Sequence, residues 1–224
     1  MLFEITFNLL NREIIIPDTI VNVYIVVFAL LIFAMAVNRK IRKADLSKPP
    51  SGLLNVMEIL VETVENLVKQ TMGEKQVWFS PYIFTLMAFL LVANLSGLLG
   101  FTPPTSDYSV TLTLALVTFT LTQFFGIKNN GIDGYIKGFF QPLPFLLPLN
   151  ILGELANPIS LSFRLFGNIL SGVIIMSLIY NALGLVAPLV TPVLHAYFDV
   201  FSGLLQTFIF AMLTMIFIGG NFDN

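Results

Sequence analysis

The sequence predicts an all-α integral membrane protein with five transmembrane helices plus one interfacial amphipathic helix, the last two helices long and strongly tilted. Three observations carry this. The 224 residues are 56% hydrophobic and 11% charged, against about 25% charged in soluble domains, and the mean hydropathy is +0.88. Apolar runs long enough to cross about 30 Å of hydrocarbon recur along the chain. A basic cluster follows the first of them at once (Arg39, Lys40, Arg42, Lys43, Lys48).

Taken in order, Met1–Pro17 lacks a basic segment followed by a small-residue cleavage site, so no removable signal peptide is expected. The first span is 20–38. The basic cluster behind it marks the cytoplasmic side, which puts the N-terminus outside. Pro49-Pro50 breaks the chain before an amphipathic helix at 51–73. There Leu53, Met57, Leu60, Val61, Val64, Leu67 and Val68 recur at helical spacing, with Glu58, Glu62, Glu65 and Lys69 among them. That helix suits either the cytoplasmic interface or a protein partner. The second span is 77–100, with Trp78 and Tyr82 as interfacial anchors, and Pro103–Asp107 is an outer turn. The third span, 110–127, returns inward to a polar, glycine-rich loop between Lys128 and Lys137.

Beyond Phe139 the pattern changes. The segments 149–183 and 192–219 exceed the hydrocarbon thickness: 35 residues at 1.5 Å each is about 52 Å, so they must tilt or bend. Pro158 predicts a kink in the first, Gly184 to Pro192 a turn, and Thr191 a cap for the second with Pro192 at its first position. The C-terminus is then cytoplasmic. The whole chain, 1–224, forms one membrane domain with no repeat and no soluble part.

From Phe139 to Gly220 the only formally charged residues are Glu154, Arg164 and Asp199. A guanidinium at mid-membrane costs roughly 2.5 kcal/mol or more and cannot deprotonate to escape. At 100° per residue, Asn157, Ser160, Arg164, Asn168 and Ser171 share one narrow stripe on their helix. His195, Asp199, Ser202 and Gln206 share one on the next. Arg164 and Gln206 lie at similar depth from the turn, so the stripes can meet each other or a third body. Blander roles stand beside these. Arg164 can snorkel if the Pro158 kink brings it near an interface, and Asp199 can simply neutralise it. His195 can be an interfacial hydrogen-bonding residue. Asn168 and Gln206 can be interhelical glue, Gly167 and Gly172 points of close helix approach. Glu154 and Asp107 lie near the ends of apolar segments, where a solvated carboxylate needs no special role.

No phosphate loop, nucleotide fingerprint or Cys/His metal spacing occurs, Cys is absent and there is one His. No cofactor, no metal and no nucleic-acid partner are expected of this chain.

The run from Glu154 to Asn168 (ELANPISLSFRLFGN) resembles the signature of subunit a of the F-type ATP synthase membrane sector. Gln206–Phe210 on the last helix, and Pro104–Asp107 with Val110–Leu116, are similar to that family too. The likeness covers most of the chain from Ala93 onward. It implies a stator beside a rotating ring of c subunits, with peripheral-stalk b subunits and membrane lipid as further partners. Two half-channels would reach the ring from opposite sides. Residue by residue, Arg164 resembles the essential arginine, with Asn168 and Gln206 as polar neighbours. Asp199 stands where many bacterial members have a histidine, and Val173 where they have a glutamate. Asn157 replaces a lysine that often precedes the proline. The resemblance gives Asp199 to the outer half-channel, Asp107 to its mouth and Glu154 to the inner one, and His195, on the same stripe as Asp199, is a further candidate for ion translocation. It implies a bacterial plasma (inner) membrane protein that carries H⁺ or Na⁺. A self-contained secondary transporter and a structural subunit of another complex are the alternatives; transporters commonly show inverted repeats, which this sequence lacks.

Overall fold

The computed structural model describes residues 5–9, 12–44, 49 and 52–222. Lys48, Pro50 and the expected helix start at residue 51 lie outside them. The protein is an all-α membrane protein, and among the described residues five helices are long and apolar enough to span a bilayer. A short antiparallel hairpin, β1 (Ile5–Leu9) and β2 (Arg12–Ile16), precedes them, with Ile5 opposite Ile16 and Leu9 opposite Arg12. The sequence signalled no strand there.

Helix α1 (Asp18–Lys43) opens on an acidic residue and ends on Lys40, Arg42 and Lys43, which suits the helix dipole at both ends. Helix α2 (Leu53–Met72) is amphipathic. Val64, Val68 and Met72 on its second half are buried against Phe79, Ile83, Phe125, Ala211, Met215 and Ile218 of the spans. The apolar face of its second half thus packs within the chain, while Leu60 and Val61, earlier in the helix, stay exposed. Helix α3 (Ser80–Leu95) is flanked by 3₁₀ turns at Glu74–Phe79 and Ser96–Leu99.

Helix α4 (Tyr108–Phe139) is longer than the span the sequence suggested. The segment expected as a loop between Lys128 and Lys137 is helical on either side of a single break at Gly131. Glycine alone adopts its φ of 69° and ψ of 165° without strain. Asn129 holds this end down by donating to the Asn221 carbonyl at 2.9 Å. Composition reads as a loop here, and tertiary contact overrides it.

Helix α5 (Leu147–Leu183) has 37 residues, about 55 Å at 1.5 Å each, and runs on through a buried Pro158. It ends at Gly184 (φ 49°), and one 3₁₀ turn (Gly184–Val186) leads into α6 (Ala187–His195). The last helix therefore begins at Ala187 and not at Pro192. Pro188 occupies its first turn, and Thr191 is 3% exposed inside it, not a cap. Two prolines four residues apart offer two possible starts, and the earlier one is used. A π-helical turn (Ala196–Phe201) then joins α6 to α7 (Ser202–Gly219).

A second core holds the middle: Leu86 and Leu90 of α3, Ala115 of α4, Leu161 and Leu165 of α5, and Phe210 of α7. In lipid such packing rests on van der Waals contact and close backbone approach more than on expelled water. Gly203 is such a point, because a Cβ there would stand 3.2 Å from the Asn94 Cβ.

Candidate functional site

Leu161, Leu165, Ile169, Gly172 and Met176 are the buried line of α5. The opposite face of the helix is turned away from the core, and the polar stripe lies there. Ser160, Arg164, Asn168 and Ser171 are all exposed on the outer surface of the chain, while Asn157 is half-buried. Ser162, off the stripe, is fully buried. Gly167 has no neighbour within 4 Å of a built Cβ, so it serves no helix contact within this chain; Gly172 does, against Phe198 at 3.5 Å.

Among the described residues Arg164 forms no salt bridge. Asp199, the candidate to neutralise it, is bonded to His195 instead. On either side of Arg164 along the chain, Phe163 and Phe166 pack on Tyr108, ring centroids 5.0 and 5.6 Å apart. Helix α5 therefore crosses the head of α4 at the level of Arg164. Its remaining length packs on α6 and the π turn, where Gly172 meets Phe198 and Tyr180 meets His195.

The two stripes meet where Asn168 donates to Gln206 Oε1 at 2.7 Å. Gln206 is 1% exposed, and its Nε2 has no partner among the described residues. Arg164 lies nineteen residues before the end of α5, and Gln206 nineteen after the start of α6. Thus the buried amide sits at the depth of the exposed guanidinium, about 28 Å from the turn at 1.5 Å per residue.

Asp199 lies within the π turn. Such single-turn bulges concentrate at functional sites, because one extra residue changes the direction in which the next side chains point. Its carboxylate accepts from His195 Nδ1 and lies against the 3₁₀ turn after α3, its Oδ1 3.9 Å from a Cβ built on Gly97. His195 Nε2 in turn meets the Tyr180 hydroxyl at 2.8 Å. The sequence singled out neither the π turn nor Tyr180. A uniform 100° step cannot foresee a widened turn, and a tyrosine near a helix end reads as a membrane anchor.

Asp107 caps α4, accepting from the Ser109 amide at 2.9 Å and the Ser109 hydroxyl at 2.7 Å. The Thr19 hydroxyl donates to its other oxygen at 2.9 Å. Burial raises the Asp107 pKa, but the hydrogen bonds from Ser109 and Thr19 outweigh it and hold the carboxyl below the ordinary range. At the other end Glu154 accepts from Gln123 Nε2 at 3.1 Å, and Gln123 accepts from the Tyr135 hydroxyl. Glu154 and Asn157 line a narrow crevice between α4 and α5 with Thr118 and Thr122.

A buried polar knot went unpredicted as well. Asn94 donates to Gly203 O and Thr207 Oγ1, both at 3.2 Å, and accepts from Thr105 at 2.8 Å. It ties the turn between α3 and α4 to α7, one residue from Gln206. No spacing rule marks a lone Asn in an apolar helix as the hub of such a knot.

Residues 20–219 match the family model of the ATP synthase A chain. The chain is 37% identical to an ATP synthase subunit a of Moorella thermoacetica over 90% of this chain and 88% of the relative. It is 35% identical to that of Anoxybacillus flavithermus over 96% and 92%, and 36% identical to that of Geobacter sulfurreducens over 92% and 88%. A match of that extent, laid over five apolar helices and an arginine exposed on the longest of them, makes this chain a member of the ATP synthase A chain family.

Proposed function

We propose that this chain is the ion-conducting stator subunit of a rotary F-type ATP synthase, facing the carboxylates of a rotating c ring with the Arg164 stripe. One observation carries this most of all. A permanent cation stands on the outer surface of a membrane helix, and among the described residues no anion of the chain pairs with it. A charge held that way in hydrocarbon calls for an acidic partner from outside.

Electrostatics assigns the roles. A ring carboxylate that carries its ion is neutral and can face lipid. Opposite Arg164 the fixed positive charge favours the ionised carboxylate and repels the cation, which leaves on that side. The same charge bars a direct leak between two half-channels. Asn168, fixed on Gln206, carries the polar surface next to the guanidinium. Asp199 and His195 serve the outer half-channel, Asp107 its mouth and Glu154 the inner access. Each elementary charge crossing 100 mV supplies about 2.3 kcal/mol, so several crossings must be gathered through one rotor per ATP. The peripheral-stalk b subunits hold the chain against the ring in the plasma membrane, with the N-terminus outside and the C-terminus in the cytoplasm. The chain itself carries out no step of ATP synthesis or hydrolysis; its part is to move the ion.

The test is Arg164→Ala in the assembled complex. ATP-driven ion uptake into vesicles is abolished while the subunit and the ring are still recovered together. Coupled pumping at the normal rate would refute the role of the arginine.

A further inference from the structure

We propose that Tyr180, His195 and Asp199 act as a single proton relay on the outer side of the Arg164 stripe, with Tyr180 as its entry residue. The proposal rests on the stator function above and deepens it, because such a relay carries H⁺ and not Na⁺.

The three groups form an unbroken line from one helix to the next. The Tyr180 hydroxyl meets His195 Nε2 at 2.8 Å, and His195 Nδ1 meets Asp199 Oδ2. Both imidazole nitrogens are thus engaged, one toward each end. A proton can enter at one nitrogen and leave from the other. Exposure falls along the line: Tyr180 is 44% exposed, while the side chains of His195 and Asp199 are 29% and 19% exposed. The order in depth agrees. Tyr180 lies three residues from the outer end of α5, His195 eight and Asp199 twelve from the start of α6, and Arg164 nineteen from the turn. Asp199 ends the line about 10 Å short of the guanidinium, counting 1.5 Å per residue.

Each hop makes one bond to hydrogen and breaks one. A proton from water binds the Tyr180 oxygen as the phenolic proton passes to His195 Nε2. The proton on Nδ1 passes to the Asp199 carboxylate. Asp199 then hands it to the ring carboxylate, and the imidazole resets when its tautomer reverses. No oxidant or further reactant is needed. The neighbouring elements leave this pathway undisturbed: Ser80–Leu99 and Ser202–Gly219 contain no charged residue, and α5 adds only Glu154 and Arg164, both further inward. A Na⁺ ion would need several oxygen acceptors around it, whereas Asp199 Oδ2 already accepts an imidazole N–H.

The experiment uses the whole ATP synthase in liposomes, reading passive H⁺ flux through the membrane sector after the soluble head is stripped. A K⁺ diffusion potential drives it. His195→Ala lowers the flux at least about tenfold, as loss of a positioned acid–base group does, and Tyr180→Phe lowers it in the same direction. Imidazole added on the outer side restores the flux of His195→Ala. Where His195→Ala fails to assemble, His195→Gln takes its place with the same expectation. Normal flux in Tyr180→Phe, or no restoration by imidazole, overturns the relay. ATP-driven uptake of ²²Na⁺ without H⁺ flux overturns the ion assignment. If Arg164→Ala itself pumps normally, the stator function fails; if only the relay variants behave as wild type, the relay alone fails.

Discussion

Single side chains settle two matters. Asp107 bonds both to its own helix and to α1 through Thr19. Asp107→Ala removes the cap and costs about 1 kcal/mol of stability, whereas Asp107→Asn keeps a capping oxygen and costs less. Thermal unfolding in detergent distinguishes them. Because the folded pKa is depressed, the stability this carboxylate contributes is fully present above its unfolded pKa. It is lost as the pH falls through the lower folded value. Asp107→Asn should therefore lower the neutral plateau of a stability–pH curve and leave its acid end nearly unchanged, which flattens the acid limb. The Asn168–Gln206 bond is the second case. Interhelical hydrogen bonds in membranes contribute about 0.6 kcal/mol on average, so a double-mutant cycle with Leu at both positions should return a coupling of that order. A larger loss of pumping than of stability would mark the pair as part of the conducting surface.

At the scale of elements, the π turn does what no single residue does. It inserts an extra residue between His195 and Gln206 and so sets the phase of α7 against α6. Deleting Ala196 should restore a regular helix that leaves Gln206 facing Asn168 but brings Asp199 to three residues from His195, out of the line it forms in the π turn. The expected outcome is an assembled but uncoupled complex, read as ATP hydrolysis without ion uptake. The Gly203–Asn94 contact makes a complementary prediction. Gly203→Val pushes α7 off α3 and strains the Asn94 knot, lowering the unfolding temperature without touching Arg164. These two devices also mark where the sequence stops being legible. Arg164 announces itself, because one guanidinium in an apolar run has no ordinary explanation, and helix period alone places the stripe around it. The π turn has no such signature. The helical stretch after Gly131 is hidden by loop-like composition, and the true start of α6 by a second proline with equal claim to the first turn.

For the whole molecule, the sequence discloses the class and number of spans because hydrocarbon imposes so narrow a choice. It does not disclose that α2 packs its second half into the inner core, because an amphipathic face does not name its partner. The proposed orientation is open to direct measurement, since the chain contains no Cys. Ala182→Cys, beside the α5–α6 turn, should react with an impermeant maleimide only from outside. Lys128→Cys should react only from the cytoplasm, and the reverse pattern would invert the topology. Helix α5 has one more consequence. A rod of about 55 Å kept within a slab of about 30 Å travels some 46 Å in the plane of the slab. Its polar stripe is therefore an inclined ramp. Under the proposed stator function, a ring passing it sideways would face Ser160, Arg164, Asn168 and Ser171 one after another, each at a different height in the membrane.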